Sequence, residues 1–203
     1  MSDFPLRRLT EDDYLEIERL ATYKSEFYDG VMYPMQPPPG AADMPGATLA
    51  HCLIKDNITY LLNSRIRGGP CLALSSDMRV KVNATGLTTY PDVVVLCDAP
   101  EFTDPDKPDT LLNPAVIVEV LSDATDEYDR GFKFENYQQI DTLREYVLVA
   151  QAEVKVERFV RQPDDTWAVT AFTDPGGSVP FTSVPADIPL AAIYRHVEFP
   201  ESP

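Results

Sequence analysis

Two short runs constrain this chain most: VVVL at 93–96 and AVIVEVL at 115–121, both apolar and rich in β-branched residues. A strand with one wet face alternates apolar with polar residues, whereas a strand apolar on both faces belongs inside a sheet that is covered on both sides. Both runs therefore read as central strands. Yet each carries an acid, Asp92 at the head of the first and Glu119 within the second. A carboxylate withdrawn from water needs compensation, and the common forms are a divalent cation or a lysine. Period-two alternation groups Asp92 with Val94 and Leu96, and Glu119 with Ile117 and Leu121.

A lysine follows at a suitable distance. Lys133 stands 14 positions after Glu119, about the length of a strand end, a short turn and the first helical turns, so its ammonium can fold back over the strand. Asp129, Lys133 and Tyr137 recur every four residues and share one helix face.

The remaining segments supply the frame. Thr10 and Asp13 form a capping-box pattern ahead of Tyr14, Ile17 and Leu20, which predicts a first helix. YKSEFYDGVMYPM alternates around Asp29-Gly30, a dipeptide suited to a two-residue hairpin turn, with Glu26 in the first strand. QPPPGAADMPG reads as an exposed loop. Leu53, Ile54, Ile58, Leu61, Leu62 and Ile66 follow a helical period from Ala47 to about Arg67, ended by Gly68-Gly69. CLALSS, MRVKVN and TYPDVVVLCD read as three strands, and the acidic DAPEFTDPDKPDTLLNP as a loop at the rim of a site. Thr125 or Asp126 caps a helix through about Ile140, REYVLVAQ is a buried strand, and EVKVERFVRQ with WAVTAFT forms a hairpin across PDD. The proline-rich remainder is expected to wrap the surface.

The fold class expected is α/β (α+β mixed): a mixed central sheet flanked by helices, with extra N-terminal and C-terminal β-hairpins. The chain reads as a single domain over 1–203, with its core at about 10–160 and a C-terminal hairpin and tail at 153–203. No internal repeat occurs.

Composition narrows the function. Seventeen Lys and Arg against 33 Asp and Glu give a net charge of −16, which argues against a broad electrostatic grip on DNA or anionic lipid. No apolar run approaches the roughly 20 residues of a membrane span, and the start lacks the apolar core of a signal peptide, so the cytoplasm is the expected location. Cys52, Cys71 and Cys97 form no CxxC pair, suggest neither a disulfide framework nor a zinc site, and read as small buried side chains. His51 and His196 are far apart, and His51, within the long helix, reads as structural. GxSxG, P-loop and GxGxxG motifs are absent, and DATDEYDRGFKFE misses the calcium-loop intervals. Arg65, Arg67, Arg79 and Lys81 form either a phosphate-contacting patch or a scattered solvated surface.

Two carboxylates and a lysine suit metal-assisted phosphodiester hydrolysis. Mg²⁺ (or Mn²⁺) takes oxygen ligands, and Mg²⁺ needs only one or two protein carboxylates beside waters and a substrate phosphate. The lysine can orient the attacking water or stabilise charge in the transition state.

YPDVVVL, NPAVIVEVLSDAT, DRGFKFENY and LREYVLV, in that order, resemble the Uma-two family of restriction endonuclease-like proteins, a branch of the PD-(D/E)XK nuclease superfamily. YKSEFYDGVMYPM and ATLAHCLIKDNI extend the likeness to roughly residues 10–160. The resemblance implies a metal-dependent endonuclease acting on DNA, with Asp92 and Glu119 as metal ligands and Glu26 as an additional acid. It also implies a backbone carbonyl near Val120 as a further ligand. The superfamily's lysine two positions after the acid is missing here, where Leu121 stands, and the resemblance maps it to Lys133. A homodimer is implied by the same likeness. Two rivals stand beside it. One is a non-catalytic binding or regulatory module that retains the nuclease fold; the other is an acidic DNA mimic, which requires Asp92, Glu119 and Lys133 to lie apart.

Overall fold

The computed structural model describes residues 8–35 and 47–199; the QPPPGAADMPG segment lies outside the described residues. Helix α1 (Glu11–Leu20) opens on the expected capping box, with the Thr10 and Asp13 side chains each accepting the other's backbone N–H. Its buried face differs from the expected stripe: Tyr14, Leu15 and Glu18 turn inward, while Ile17 and Leu20 are exposed. Glu18 is drawn in because its carboxylate accepts from the Ser25 N–H and the Tyr90 hydroxyl.

Strands β1 (Ser25–Tyr28) and β2 (Val31–Pro34) form the hairpin. Asp29 and Gly30 both have positive φ, 48° and 77°, as the tight turn between such strands demands. Helix α2 (Leu49–Ile66) follows, capped by Thr48. Then come β3 (Leu72–Ser75), β4 (Arg79–Lys81), β5 (Thr88–Thr89), β6 (Val93–Leu96), β7 (Thr110–Leu111) and β8 (Val116–Leu121). Helix α3 runs over Asp126–Tyr128, through a π-helical turn at Asp129–Lys133, into Phe134–Tyr137. Strands β9 (Glu145–Ala150), β10 (Val156–Arg161), β11 (Trp167–Phe172), β12 (Ser178–Pro180) and β13 (Asp187–Pro189) precede a last turn, α4 (Leu190–Ile193).

The main sheet has the order β11-β10-β9-β8-β6-β3. Strands β8 and β9 run parallel and the other neighbours antiparallel. A second sheet has the order β2-β1-β5-β4-β7, and β12 pairs with β13. Both apolar runs are central, as their composition requires. One face of the main sheet buries Val93, Val95, Val116, Val118 and Val120 against Ile54, Ile58, Leu62 and Ile66 of α2. Its other face buries Val94, Leu96, Ile117 and Leu121 against Tyr137 and Ile140, against Val80 and Leu111 from the second sheet, and against Val82 just after β4. Each such side chain contributes about 1.5–3 kcal/mol on burial, so the layers are held from both sides.

Four expectations need correction. TYPDVVVLCD is two strands in different sheets, because Pro91 lacks an N–H and restricts the residue before it; β5 ends at Thr89 and β6 begins at Val93. The acidic loop contains β7, which pairs parallel with β4. The C-terminal tail is core rather than surface wrapping: Val179, Val184, Ile188, Leu190 and Ile193 pack on the α2 face. Cys71 and Cys97 are joined by a disulfide, leaving Cys52 free; the antiparallel register that sets Leu72 opposite Leu96 sets these two side by side. No helix among the described residues is long and apolar enough to cross a membrane.

Candidate active site

The β6–β8 register pairs Val93 with Val118, which brings Asp92 opposite Glu119 one step further along. The side chains interlock through backbone donors: Glu119 Oε2 accepts the Asp92 N–H at 3.2 Å, and Asp92 Oδ2 accepts the Val120 N–H at 2.8 Å. Val120 therefore enters the site through its N–H. The second Asp92 oxygen lies 2.9 Å from His51 Nε2, on the first turn of α2.

Helix α3 lays the amine over this pair. Lys133 Nζ donates to Glu119 Oε1 at 3.1 Å, and lies 3.0 Å from Asp129 Oδ1 and 3.7 Å from Glu26 Oε1. The Tyr137 hydroxyl donates to the same Glu119 oxygen at 3.1 Å. Tyr128 donates to Glu26 Oε2 at 2.7 Å, and Thr89 to Glu26 Oε1. All four sequence-predicted residues thus converge. Glu119, Asp129, Lys133 and Glu26 are between 2% and 8% exposed. A DNA mimic's requirement that Asp92, Glu119 and Lys133 lie apart is not met.

The π-helical turn at Asp129–Lys133 is a local departure of a kind concentrated at functional sites. The Asp129 carbonyl accepts the Tyr146 hydroxyl at 2.9 Å, which satisfies a backbone group within the turn. Five contributors escaped sequence reasoning as site residues: His51, Thr89, Tyr128, Asp129 and Tyr137. Asp129 was legible as a face-mate of Lys133, whereas His51 and Tyr128 depend on contacts between elements distant in sequence.

Burial pushes the Glu119 carboxyl up to about 8; Lys133 pulls it down, and Asp129 and Asp92 push it further up. Asp129 is also raised, by burial first, against the opposing pull of Lys133. For Lys133, burial works against the charged form, but Glu119, Tyr137, Asp129 and Glu26 outweigh it and hold the ammonium well above its ordinary range. The amine is a fixed cation.

A pH dependence follows from Glu119. Its folded-state value lies above its ordinary 4.5, so the folded chain holds the proton more tightly than the unfolded chain. That stability is fully present below about pH 4.5 and is lost as pH rises through about 8. Thermal melts of the metal-free protein across this window are expected to show a falling Tm, with a flatter profile for Glu119→Gln. Identical slopes for both proteins would remove Glu119 as the cause.

Among the described residues, no group of three or more His, Cys, Asp and Glu side chains stands in an arrangement able to hold a metal ion. The acids are instead turned toward one another's backbone and toward Lys133, His51, Tyr128 and Tyr137.

Known proteins share this framework. The family model described as "Putative restriction endonuclease", Uma2, matches residues 11–191. Two proteins of Synechocystis sp. (strain ATCC 27184 / PCC 6803 / Kazusa) are similar over most of their length. Uncharacterized protein slr1290 is 28% identical over 195 residues, covering 96% of this chain and 96% of the relative. Uncharacterized protein sll1609 is 32% identical over 174 residues, covering 86% and 93%. A crystal structure from Anabaena variabilis ATCC 29413, described as "a putative nuclease belonging to DUF820", superposes with a TM-score of 0.69 at 17% identity, covering 92% of this chain and 97% of that one. At that identity the likeness establishes the α/β nuclease-like fold, and the family match over 11–191 establishes membership: this chain belongs to the Uma2 family.

Proposed function

We propose that this chain is a divalent-metal-dependent DNA endonuclease that hydrolyses phosphodiester bonds at the Asp92–Glu119–Lys133 cluster. One observation carries the reading: a buried lysine ammonium stands 3.1 Å from a central-strand carboxylate whose neighbour across the strands is a second acid. A buried ionic cluster costs desolvation that apolar side chains of similar volume avoid, so its presence supports chemistry over stability. The family's description as "Putative restriction endonuclease" and the Anabaena structure's as "a putative nuclease" support the same reading.

In donor type the residues suit Mg²⁺ or Mn²⁺, and holding an ion would take a turn of Asp92 and Glu119 away from the backbone N–H groups they now accept. Glu26, Asp92, Glu119 and Asp129 offer only oxygens, the donors a hard cation takes, and a bound cation would displace the proton that burial holds on Glu119 up to about pH 8. Asp92 and Glu119 would hold the ion, with Glu26 as the further acid. When bound, the ion supplies Lewis acidity toward the phosphate and a water of lowered pKa.

The chain's own groups do the rest. Lys133, fixed as a cation, orients the attacking water and stabilises negative charge growing on the phosphate oxygens. Asp129 and Tyr128 position it, the first by ion pairing and the second by holding Glu26 and presenting its ring 5.5 Å from Nζ. Tyr137 steadies Glu119. Cutting both strands of a duplex would need two such clusters, for which a homodimer is the simplest arrangement.

The test is cleavage of supercoiled and branched DNA with Mg²⁺. Glu119→Gln is expected to lower the rate about 10²–10³-fold, while Glu127→Gln, at an exposed position of α3, keeps it. Equal rates for wild type and Glu119→Gln would overturn the assignment. The second reading, a fold retained without turnover, draws support from the net charge of −16; calorimetry showing no Mn²⁺ binding at millimolar concentration would favour it.

A further inference from the structure

The β1–β2 hairpin borders the acid cluster and presents a face of which the proposed chemistry uses Glu26 and leaves the outer side chains unassigned. Its register sets Glu26 opposite Tyr33, Phe27 opposite Met32, and Tyr28 opposite Val31. Directly paired residues share a face and alternate along the strand, so Glu26, Tyr28, Val31 and Tyr33 lie together. Phe27 and Met32 turn the other way, onto α1. Strand β2 is the outermost strand of its sheet among the described residues, and Tyr33 and Val31 are 51% and 42% exposed. The aromatic surface continues inward: Tyr28 packs edge-on against Phe132, with ring centroids 5.0 Å apart, and Phe132 stacks on Tyr128 at 5.6 Å. Tyr128 then donates to Glu26 itself. A half-exposed aromatic path therefore leads from solvent to the carboxylate beside Lys133.

Among the described residues, the cations around this face are already engaged, beginning with Arg8, which pairs with Asp29 of the hairpin turn. Lys24, just before β1, is held by Asp77; Arg130 by Asp126 and Glu157; Lys133 by Glu119 and Asp129. A duplex is gripped through its phosphates, which takes cations able to replace counterions. An unpaired base presents a π-face on which an aromatic ring can stack, a contact that a paired duplex does not offer and that adds to whatever the phosphates contribute. Glu119 and Lys133 also lie below the surface, 2% and 6% exposed, where a lone strand reaches more readily than a stacked double helix.

We propose that this hairpin face, with Tyr33 at its outer end, is a stacking ledge for unpaired bases, so that the chain selects single-stranded or locally unpaired DNA. The proposal rests on the nuclease reading for its substrate class, and binding is measured apart from cleavage so that the two can fail separately. The probe is a labelled oligothymidylate of about 20 nucleotides, followed by fluorescence anisotropy in EDTA. Two companions are a duplex and an abasic strand of the same length. The wild-type chain is expected to bind the single strand at least about tenfold more tightly than the duplex or the abasic strand. Tyr33→Ala is expected to weaken single-strand binding by about tenfold or more, and Tyr33→Phe to preserve it; circular dichroism checks that each variant is folded. Equal affinity for duplex and single strand, no effect of Tyr33→Ala, or no binding by the wild type would each overturn the ledge. Tyr33-dependent binding without Glu119-dependent cleavage in Mg²⁺ would support the ledge and overturn the hydrolase. Glu119-dependent cleavage with Tyr33-independent binding would do the reverse.

Discussion

Lys133→Met is expected to abolish DNA cleavage and to destabilise the metal-free fold by about 3–5 kcal/mol near neutral pH. The methionine retains most of the lysine's volume, so the loss is electrostatic. Without the ammonium, Glu119, Asp129 and Glu26 remain buried near one another, and among the described residues no other lysine or arginine pairs with them. Glu119 and Asp129, already raised by burial, then take up protons more readily still. Stability is then highest in acid and falls as pH rises, so the variant's deficit should be small below about pH 4.5, the ordinary value of Glu119, and large above neutrality. Urea denaturation at both pH extremes measures this. A deficit that does not grow with pH would show that Lys133 does not compensate the acids.

Glu145→Ala is expected to cost a comparable about 3–5 kcal/mol, for a structural reason. Glu145 begins β9, is fully buried, and gathers four donors on Oε1: the Thr182 and Ser183 N–H groups at 2.7 and 2.6 Å, and their hydroxyls at 3.0 and 2.7 Å. Arg158 Nε stands 3.9 Å from its other oxygen. Alanine strips four donors of their acceptor and leaves a 9%-exposed guanidinium without its counterion. Each unsatisfied buried group costs about 1–3 kcal/mol, only partly recovered by entering water. Because Thr182 and Ser183 link β12 to β13, the tail that covers α2 should loosen first. Chemical denaturation gives the magnitude, and proteolysis within 173–189 gives the location. A loss below about 1 kcal/mol would mean that this anchor is dispensable.

How much of this was legible from sequence depends on the kind of signal. VVVL and AVIVEVL betrayed their central positions because both faces of each strand are buried, and Asp29-Gly30 betrayed its turn because few residues accept positive φ. Glu119 stood out as a charge among valines, and Lys133 followed from spacing. The partners of those groups were harder to see. His51 reaches Asp92 across 41 positions and Tyr128 reaches Glu26 across 102, contacts set by how the layers pack rather than by local pattern. Glu145 looked like an ordinary strand start, since its four donors come from a tail whose prolines suggested surface. The first helix showed its cap but not its inward face, because the buried Glu18 carries no apolar signature.

The break at Pro91 has a mechanical consequence. Glu26 belongs to one sheet and the Asp92–Glu119 pair to the other, so the cluster straddles a joint instead of sitting within a continuous ladder of backbone hydrogen bonds. A joint of that kind lets the hairpin arm change its length or its rings while the paired acids keep their spacing. In the proposed enzyme, variation in what the hairpin holds would thereby be uncoupled from the geometry of the paired acids.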